Sequence, residues 1–236
     1  MTPYMRMRLA NKARGEFRVE DDTLWLYDVI ASDDEDADFW GGVSPRSFIA
    51  ALRSISGPVT LRINSPGGSV FGAQAMVVAM REHDAPITAR IDSLAASAAS
   101  VIAAEAAQVE MAEGAMLMIH KAWGMTIGNA DDMLASASLL EKIDGQIAAS
   151  YARRSEGDAD SFLALMAAET WFTAEEAVAM GLADRIMDGN KQRPKALWDL
   201  SAYAKAPRLP EAPEPANDMR LMLARRLAAR LAANPI

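Results

Sequence analysis

Val59-Thr-Leu-Arg-Ile-Asn-Ser-Pro-Gly-Gly-Ser-Val70 is the stretch that decides the fold. Val59 to Ile63 alternates apolar with polar and is rich in β-formers, which predicts a strand. Asn64-Ser-Pro-Gly-Gly68 then breaks the pattern as a tight turn, and a helix is predicted from Val70 to Arg81. A strand, a glycine turn and a helix in twelve residues begin a βα unit. Glycines also let backbone N–H groups face outward without a Cβ in the way, as an oxyanion hole requires. Alone, the turn equally suits a plain strand-to-helix connection.

The same alternation extends in both directions. Upstream, Thr23 to Ile30 reads as a strand, the acidic run Asp33 to Asp38 as a solvated loop, and Ser44-Pro45 as the cap of a helix reaching Ser54. Residues 1–16 read as irregular and basic. Downstream come a strand at Ile87–Ile91, a small-residue helix from Ala95 to Ala107, and short strands at Val109–Met111 and Met116–Ile119. A long helix opens at Asn129, with Asp131 and Asp132 in its first turn. Shorter helices follow at Asp158–Ala168 and Thr173–Met180. Strands and helices joined by short links imply an α/β domain with parallel pairing. Three regions are expected: an N-terminal arm over residues 1–22, a domain over 23–200, and a Pro-rich linker with a basic amphipathic helix over 201–236.

Composition removes several functions. The formal charge of −8 argues against nucleic acid as a partner. No apolar run approaches the roughly 20 residues of a membrane helix, so no membrane partner is expected. Cysteine is absent and only His83 and His120 occur, which excludes thiolate and multi-histidine metal sites. Neither metal nor cofactor is expected, and a cytoplasmic protein fits best.

Two further segments carry chemistry. In Leu94-Ala-Ala-Ser97-Ala-Ala-Ser100, a serine among small residues at a helix start could present its Oγ in a cleft. The Ala98 N–H and the positive helix end would then lie near a developing oxyanion. Ser93 and Ser100 are competing positions, and close helix packing is the structural alternative. In Met116-Leu-Met-Ile-His120, one histidine ends an apolar strand, a place where histidine also serves structure. His83, in Arg-Glu-His-Asp, reads as a surface residue.

Each segment is weak alone, but their order resembles the proteolytic subunit of the Clp protease family. The likeness is closest to the Clp-related prohead (head maturation) proteases of phages and prophages. Arg62-Ile-Asn-Ser-Pro-Gly-Gly-Ser-Val-Phe71, Gly128-Asn-Ala-Asp-Asp132, Glu169-Thr-Trp-Phe-Thr-Ala-Glu-Glu-Ala177 and Gly181-Leu-Ala-Asp184 carry it, from about Thr23 to Ile186. The resemblance implies a crotonase-like spiral of ββα units assembled into a homo-oligomeric ring. It implies a serine endopeptidase with Ser97 as nucleophile, His120 as general base, and the Gly68 and Ala98 N–H groups as oxyanion hole. Gly67 would shape the turn, and substrate would add to the strand edge near Asn64–Gly68.

The third triad member departs from the family's pattern. Leu165 stands where the housekeeping enzyme has its Asp, and Ala167 where phage relatives carry one. Glu169 is the only carboxylate between Ala164 and Trp171. It is therefore the expected orienting acid, with a salt-bridging helix-end role as its alternative and Asp158 or Asp160 as substitutes. The substrates implied are polypeptides, either phage capsid or scaffold proteins cleaved without ATP, or chains delivered by an ATPase unfoldase. Two other readings are a non-catalytic ring protein and a crotonase-type acyl-CoA enzyme, the latter needing no Ser97–His120 pair.

Overall fold

The computed structural model describes residues 1–12, 14–187 and 198–207. Met1–Ala206 forms one compact unit. The proline linker beyond Pro207 and the basic helix expected at 219–233 lie outside the described residues.

The elements in chain order are α1 (Pro3–Asn11), β1 (Glu16–Glu20), β2 (Thr23–Tyr27), α2 (Asp34–Trp40), α3 (Pro45–Arg53), β3 (Val59–Ser65), α4 (Val70–Arg81) and β4 (Ile87–Ala96). They continue with α5 (Ala98–Ala104), β5 (Gln108–Ala112), β6 (Met116–Ile119), α6 (Ala130–Ser155), α7 (Ala159–Ala167), β7 (Thr170–Thr173), α8 (Ala174–Ala179) and β8 (Arg185–Met187). The sheet runs β1-β2-β3-β4-β5-β8, and β6 branches off to pair with β4 and β7. The pairs from β2 through β8 along the main path are parallel, while β1 and β7 join antiparallel. The α/β class read from the alternation of segments is the class observed.

The turn after β3 follows its sequence. Val59, Leu61 and Ile63 point into the core between sheet and helices, and Ser69 caps α4 by accepting from the Gly72 N–H. On the opposite face, Asp92 takes two hydrogen bonds from Arg62, at 2.6 and 2.9 Å, and one from the Tyr27 hydroxyl at 2.5 Å. That network satisfies a carboxylate that is only 2% exposed.

β4 is long because it serves two partners. Thr88–Ile91 pairs with β5, whereas Leu94–Ala96 pairs with Met116–Met118 of β6. Ala95 and Ala96, expected in a helix, are therefore strand residues: cross-strand pairing overrides alanine's helical preference. The helix begins only after Ser97.

Three other expectations are corrected. Residues 3–11 form a helix rather than an irregular arm, with Thr2 accepting from the Met5 N–H and Pro3 at the first position. The acidic run is helical as well. Asp33 caps it, and Asp34, Glu35 and Asp36 occupy the first turn, where carboxylates complement the helix dipole. Finally, residues 201–206 are not linker. Trp198, Leu200 and Tyr203 are buried with Met7, Val29, Leu94, Ala96 and Met118 in a second, smaller core. The segment 198–206, here called the strap, closes over the end of the sheet where β3, β4 and β6 finish.

Candidate active site

β4 ends at Ala96 and delivers Ser97 at the break between strand and helix. Ser97 holds φ +55 and ψ −124, a conformation an L-residue adopts only under constraint. Its N–H donates to the Met118 carbonyl (2.9 Å), and its carbonyl accepts from the Ser100 and Val101 N–H groups. These bonds fix the backbone and leave the side chain partly exposed. Ser100 is fully buried, its Oγ lying 2.6 Å and 2.8 Å from the Ser97 and Met118 carbonyl oxygens and 2.8 Å from the Tyr151 hydroxyl. It braces the elbow from behind and cannot meet a substrate.

His120 follows the last residue of β6, the strand paired beside the end of β4. Its Nε2 lies 2.7 Å from Ser97 Oγ, the length of a good hydrogen bond. Burial holds the imidazole pKa well down, at about 4, and the negative charge of Glu169 only partly opposes it. The ring is neutral at ordinary pH, so Nε2 can accept a proton.

The glycine turn stands opposite. Ile30 bonds to the two neighbours of Gly68, donating to the Gly67 carbonyl and accepting from the Ser69 N–H, both at 2.9 Å. Gly68's own N–H therefore faces the other way, and no acceptor among the described residues takes it. Ala98, the first residue of α5, likewise has an N–H with no acceptor among the described residues. Glycine is required here. A Cβ on Gly67, at φ +93, would lie 2.8 Å from Ser97 Cβ and 3.2 Å from the Ala98 nitrogen. One on Gly68 would meet the Ile30 carbonyl at 2.1 Å.

A cavity of about 650 Å³ opens at Ser97 and His120. Gly68 to Phe71, Ala122 to Thr126, and Leu139, Leu140 and Ile143 of α6 line it, and Thr2 to Met5 of α1 form one wall. An acyl group attached to Ser97 would have an apolar chamber beside it.

Two expected site residues stand elsewhere. Asn64 is 1% exposed, and its Oδ1 accepts from Trp198 Nε1 at 2.9 Å. The strap seals it, so the accessible part of the turn begins at Gly68. Glu169 makes no hydrogen bond to His120. Its carboxylate accepts from the Ala204 N–H (2.9 Å), the Lys205 N–H (2.6 Å) and Trp171 Nε1 (3.3 Å). Two backbone N–H groups in fixed geometry outcompete the imidazole for it. Asp158 caps α7 through Ser161, and neither it nor Asp160 bonds to His120.

Sequence reasoning missed Trp198 and Tyr203. Two aromatics just ahead of a proline run were the available signal, because a solvated linker has no use for them. Tyr203 is 4% exposed and packs edge-on to His120, with centroids 5.4 Å apart and planes at 83°.

A serine at a strained strand–helix elbow, a neutral histidine on its Oγ and two N–H groups without an acceptor among the described residues are the kinds of group that serine hydrolysis uses. The family described as Clp protease matches residues 47–190, and the chain belongs to that family. The chain is 32% identical over 144 residues to the ATP-dependent Clp protease proteolytic subunit of Streptococcus equi subsp. equi, covering 56% of this chain and 70% of that one. It is 30% identical over 145 residues to proteolytic subunit 1 of Salinibacter ruber, covering 60% and 62%. The Streptococcus pyogenes serotype M1 subunit is 31% identical over 144 residues, covering 56% and 70%.

Proposed function

We propose that this Clp protease family member is a serine endopeptidase in which Ser97 is the nucleophile and His120 the general base. The 2.7 Å contact between Ser97 Oγ and His120 Nε2 carries the reading. In this mechanism His120 takes the hydroxyl proton as Oγ attacks the scissile carbonyl. The oxyanion that forms is received by the Gly68 and Ala98 N–H groups. Collapse expels the amine, which takes its proton from His120, and leaves an acyl-enzyme ester on Ser97. A water activated by the same imidazole then releases the acid and regenerates the serine.

The substrate is a polypeptide segment in extended form, and the protein works as a ring of identical subunits. Met133, Leu134 and Leu139 of α6, with Met125 and Ile127 before it, are exposed apolar residues suited to a neighbouring subunit. Phage scaffold or capsid proteins, cleaved without ATP, are the substrates we assign. The resemblance of the segments quoted above to prohead proteases supports this. So does the placement of α1 and the strap, both beyond residues 47–190, against the site itself.

The relatives' name, ATP-dependent Clp protease proteolytic subunit, favours a second reading, a degradative subunit that depends on an ATPase. The purified protein, incubated with an unfolded polypeptide and with a capsid or scaffold substrate, separates the two. Cleavage without ATP or a partner, absent in Ser97→Ala, supports the processing reading. Cleavage of proteins only with an added ATPase selects the degradative one. No cleavage and no fluorophosphonate labelling under any condition sinks both.

A further inference from the structure

The strap is built into the site in a way the peptidase reading does not use. Four sets of bonds anchor it. Asn11 and Asp199 exchange two hydrogen bonds, Asn11 Oδ1 accepting from the Asp199 N–H (2.7 Å) and Asn11 Nδ2 donating to the Asp199 carbonyl (3.0 Å). Trp198 Nε1 donates to Asn64, the Ala204 and Lys205 N–H groups donate to Glu169, and Lys205 Nζ donates to the Ala168 carbonyl. Glu169 itself holds φ +49, the left-handed region that a non-glycine residue seldom adopts. From that conformation its carboxylate accepts the two strap N–H groups.

Between these anchors Tyr203 enters the site. Its ring stacks on Trp123 (5.0 Å, 29°), meets Trp171 edge-on (5.9 Å, 78°) and closes one flank of His120. Its hydroxyl donates to the carbonyl of Pro66, the residue that leads into Gly67 and Gly68. Burial pushes the phenol pKa up while the Ser97 side chain draws it down, so the hydroxyl keeps its proton beside the nucleophile.

Resting on the peptidase reading, we propose that Tyr203 is a positioning residue that fixes His120 and the Pro66–Gly68 turn, and that Glu169 acts on the site through the strap. A serine–histidine pair needs its imidazole held in one orientation, and the usual carboxylate partner is not bonded to this one. Packing supplies the restraint instead. Trp123 on one flank (4.6 Å, 73°) and Tyr203 on another leave the ring little freedom. The ionisable groups around it are Glu169 from the α7–β7 turn, Tyr203 from the strap, Tyr4 of α1 in the cavity wall, and Lys121, which pairs with Asp144 of α6 at 4.0 Å.

Two measurements on the full chain test this. In the first, peptide hydrolysis is followed for Tyr203→Phe, Glu169→Gln and the double variant. Tyr203→Phe removes the hydroxyl's link to Pro66 and its interaction with the Ser97 side chain while keeping the ring, so kcat should fall at least about tenfold with KM within about twofold. If Glu169 works through the strap, the double variant loses less than the product of the single losses. Wild-type kcat in Tyr203→Phe, or losses that multiply in full, overturns the proposal. In the second, the His120 ring is titrated by NMR in a His83→Gln background. Tyr203→Leu should raise the midpoint by about one pH unit as water regains the flank, whereas Tyr203→Phe should leave it in place. An unmoved midpoint in folded Tyr203→Leu also overturns the proposal. Should that variant not fold, the kinetic cycle decides alone. The titration needs no turnover, so a chain that cleaves nothing sinks the peptidase reading while the strap's hold on His120 is still measured.

Discussion

Lowering the pH tests the proposed base, an imidazole that resists protonation. An unfolded chain protonates His120 near 6.5, and the folded protein resists until about 4. That gap is worth about 3 kcal/mol. The imidazole costs nothing in either state above about pH 6.5. Between 6.5 and 4 the unfolded chain binds the extra proton, so stability falls by about 1.4 kcal/mol per pH unit and levels off below 4. Urea unfolding at pH 7.5, 6.0 and 5.0, compared between wild type and His120→Gln, isolates this contribution from the carboxylates, which titrate in both proteins. Activity should respond differently. With a pKa of about 4, kcat/KM at pH 5 should retain about nine-tenths of its plateau, whereas an ordinary histidine would lose about 30-fold. A kcat/KM profile half-maximal between pH 6 and 7, with no difference in the two unfolding series, would show that His120 is hydrated and that the burial described here is not maintained.

Three other outcomes follow from the same geometry. Ser97→Ala should abolish cleavage and fluorophosphonate labelling while Ser93→Ala does neither; Ser100→Ala should keep the label but lose about 1–3 kcal/mol in denaturant melts, because the Tyr151 hydroxyl loses its partner. Gly67→Ala should cut kcat by at least about 100-fold, since its Cβ would press on Ser97 Cβ and the Ala98 nitrogen; near-wild-type turnover would refute the oxyanion assignment. A chain ending at Ala206 should hydrolyse small peptides at the full rate, whereas one ending at Leu197 should not, because it lacks Tyr203 and the N–H groups that hold Glu169.

What could be read from the chain, and what could not, divides by sequence distance. The βα unit at Val59–Arg81 announces itself because its alternation, its glycines and its cap lie within a few residues of one another. Ser97 and His120 are singled out by the order of short motifs, each uninformative alone, and the structure brings the two side chains within 2.7 Å. Both short helices near the N-terminus were missed for local reasons. α1 is polar and buries only Met7, Arg8 and Asn11, and α2 buries none of its residues, so neither shows an apolar stripe. Glu169 is the one carboxylate in its segment and was expected to orient His120, but it bonds instead to backbone N–H groups 35 and 36 residues away, out of reach of pattern reading. Tyr203 is harder still: its hydroxyl meets Pro66 across 137 residues.

Those separations also order events in time. A chain is made from its N-terminus at about 5–20 residues per second, and the strap emerges after every strand and helix described above. Asn11 waits for Asp199 across 188 residues, and Asn64 waits for Trp198 across 134. Until that last segment arrives, the serine and histidine are already synthesised, yet one flank of the imidazole faces water and the turn beside it lacks its clamp. From about residue 120 of synthesis until the strap is made, the nascent chain thus holds the pair without its clamp, and on the peptidase reading hydrolytic competence comes only with the strap. On the peptidase reading, that delay keeps the unfinished chain from meeting a working site of its own.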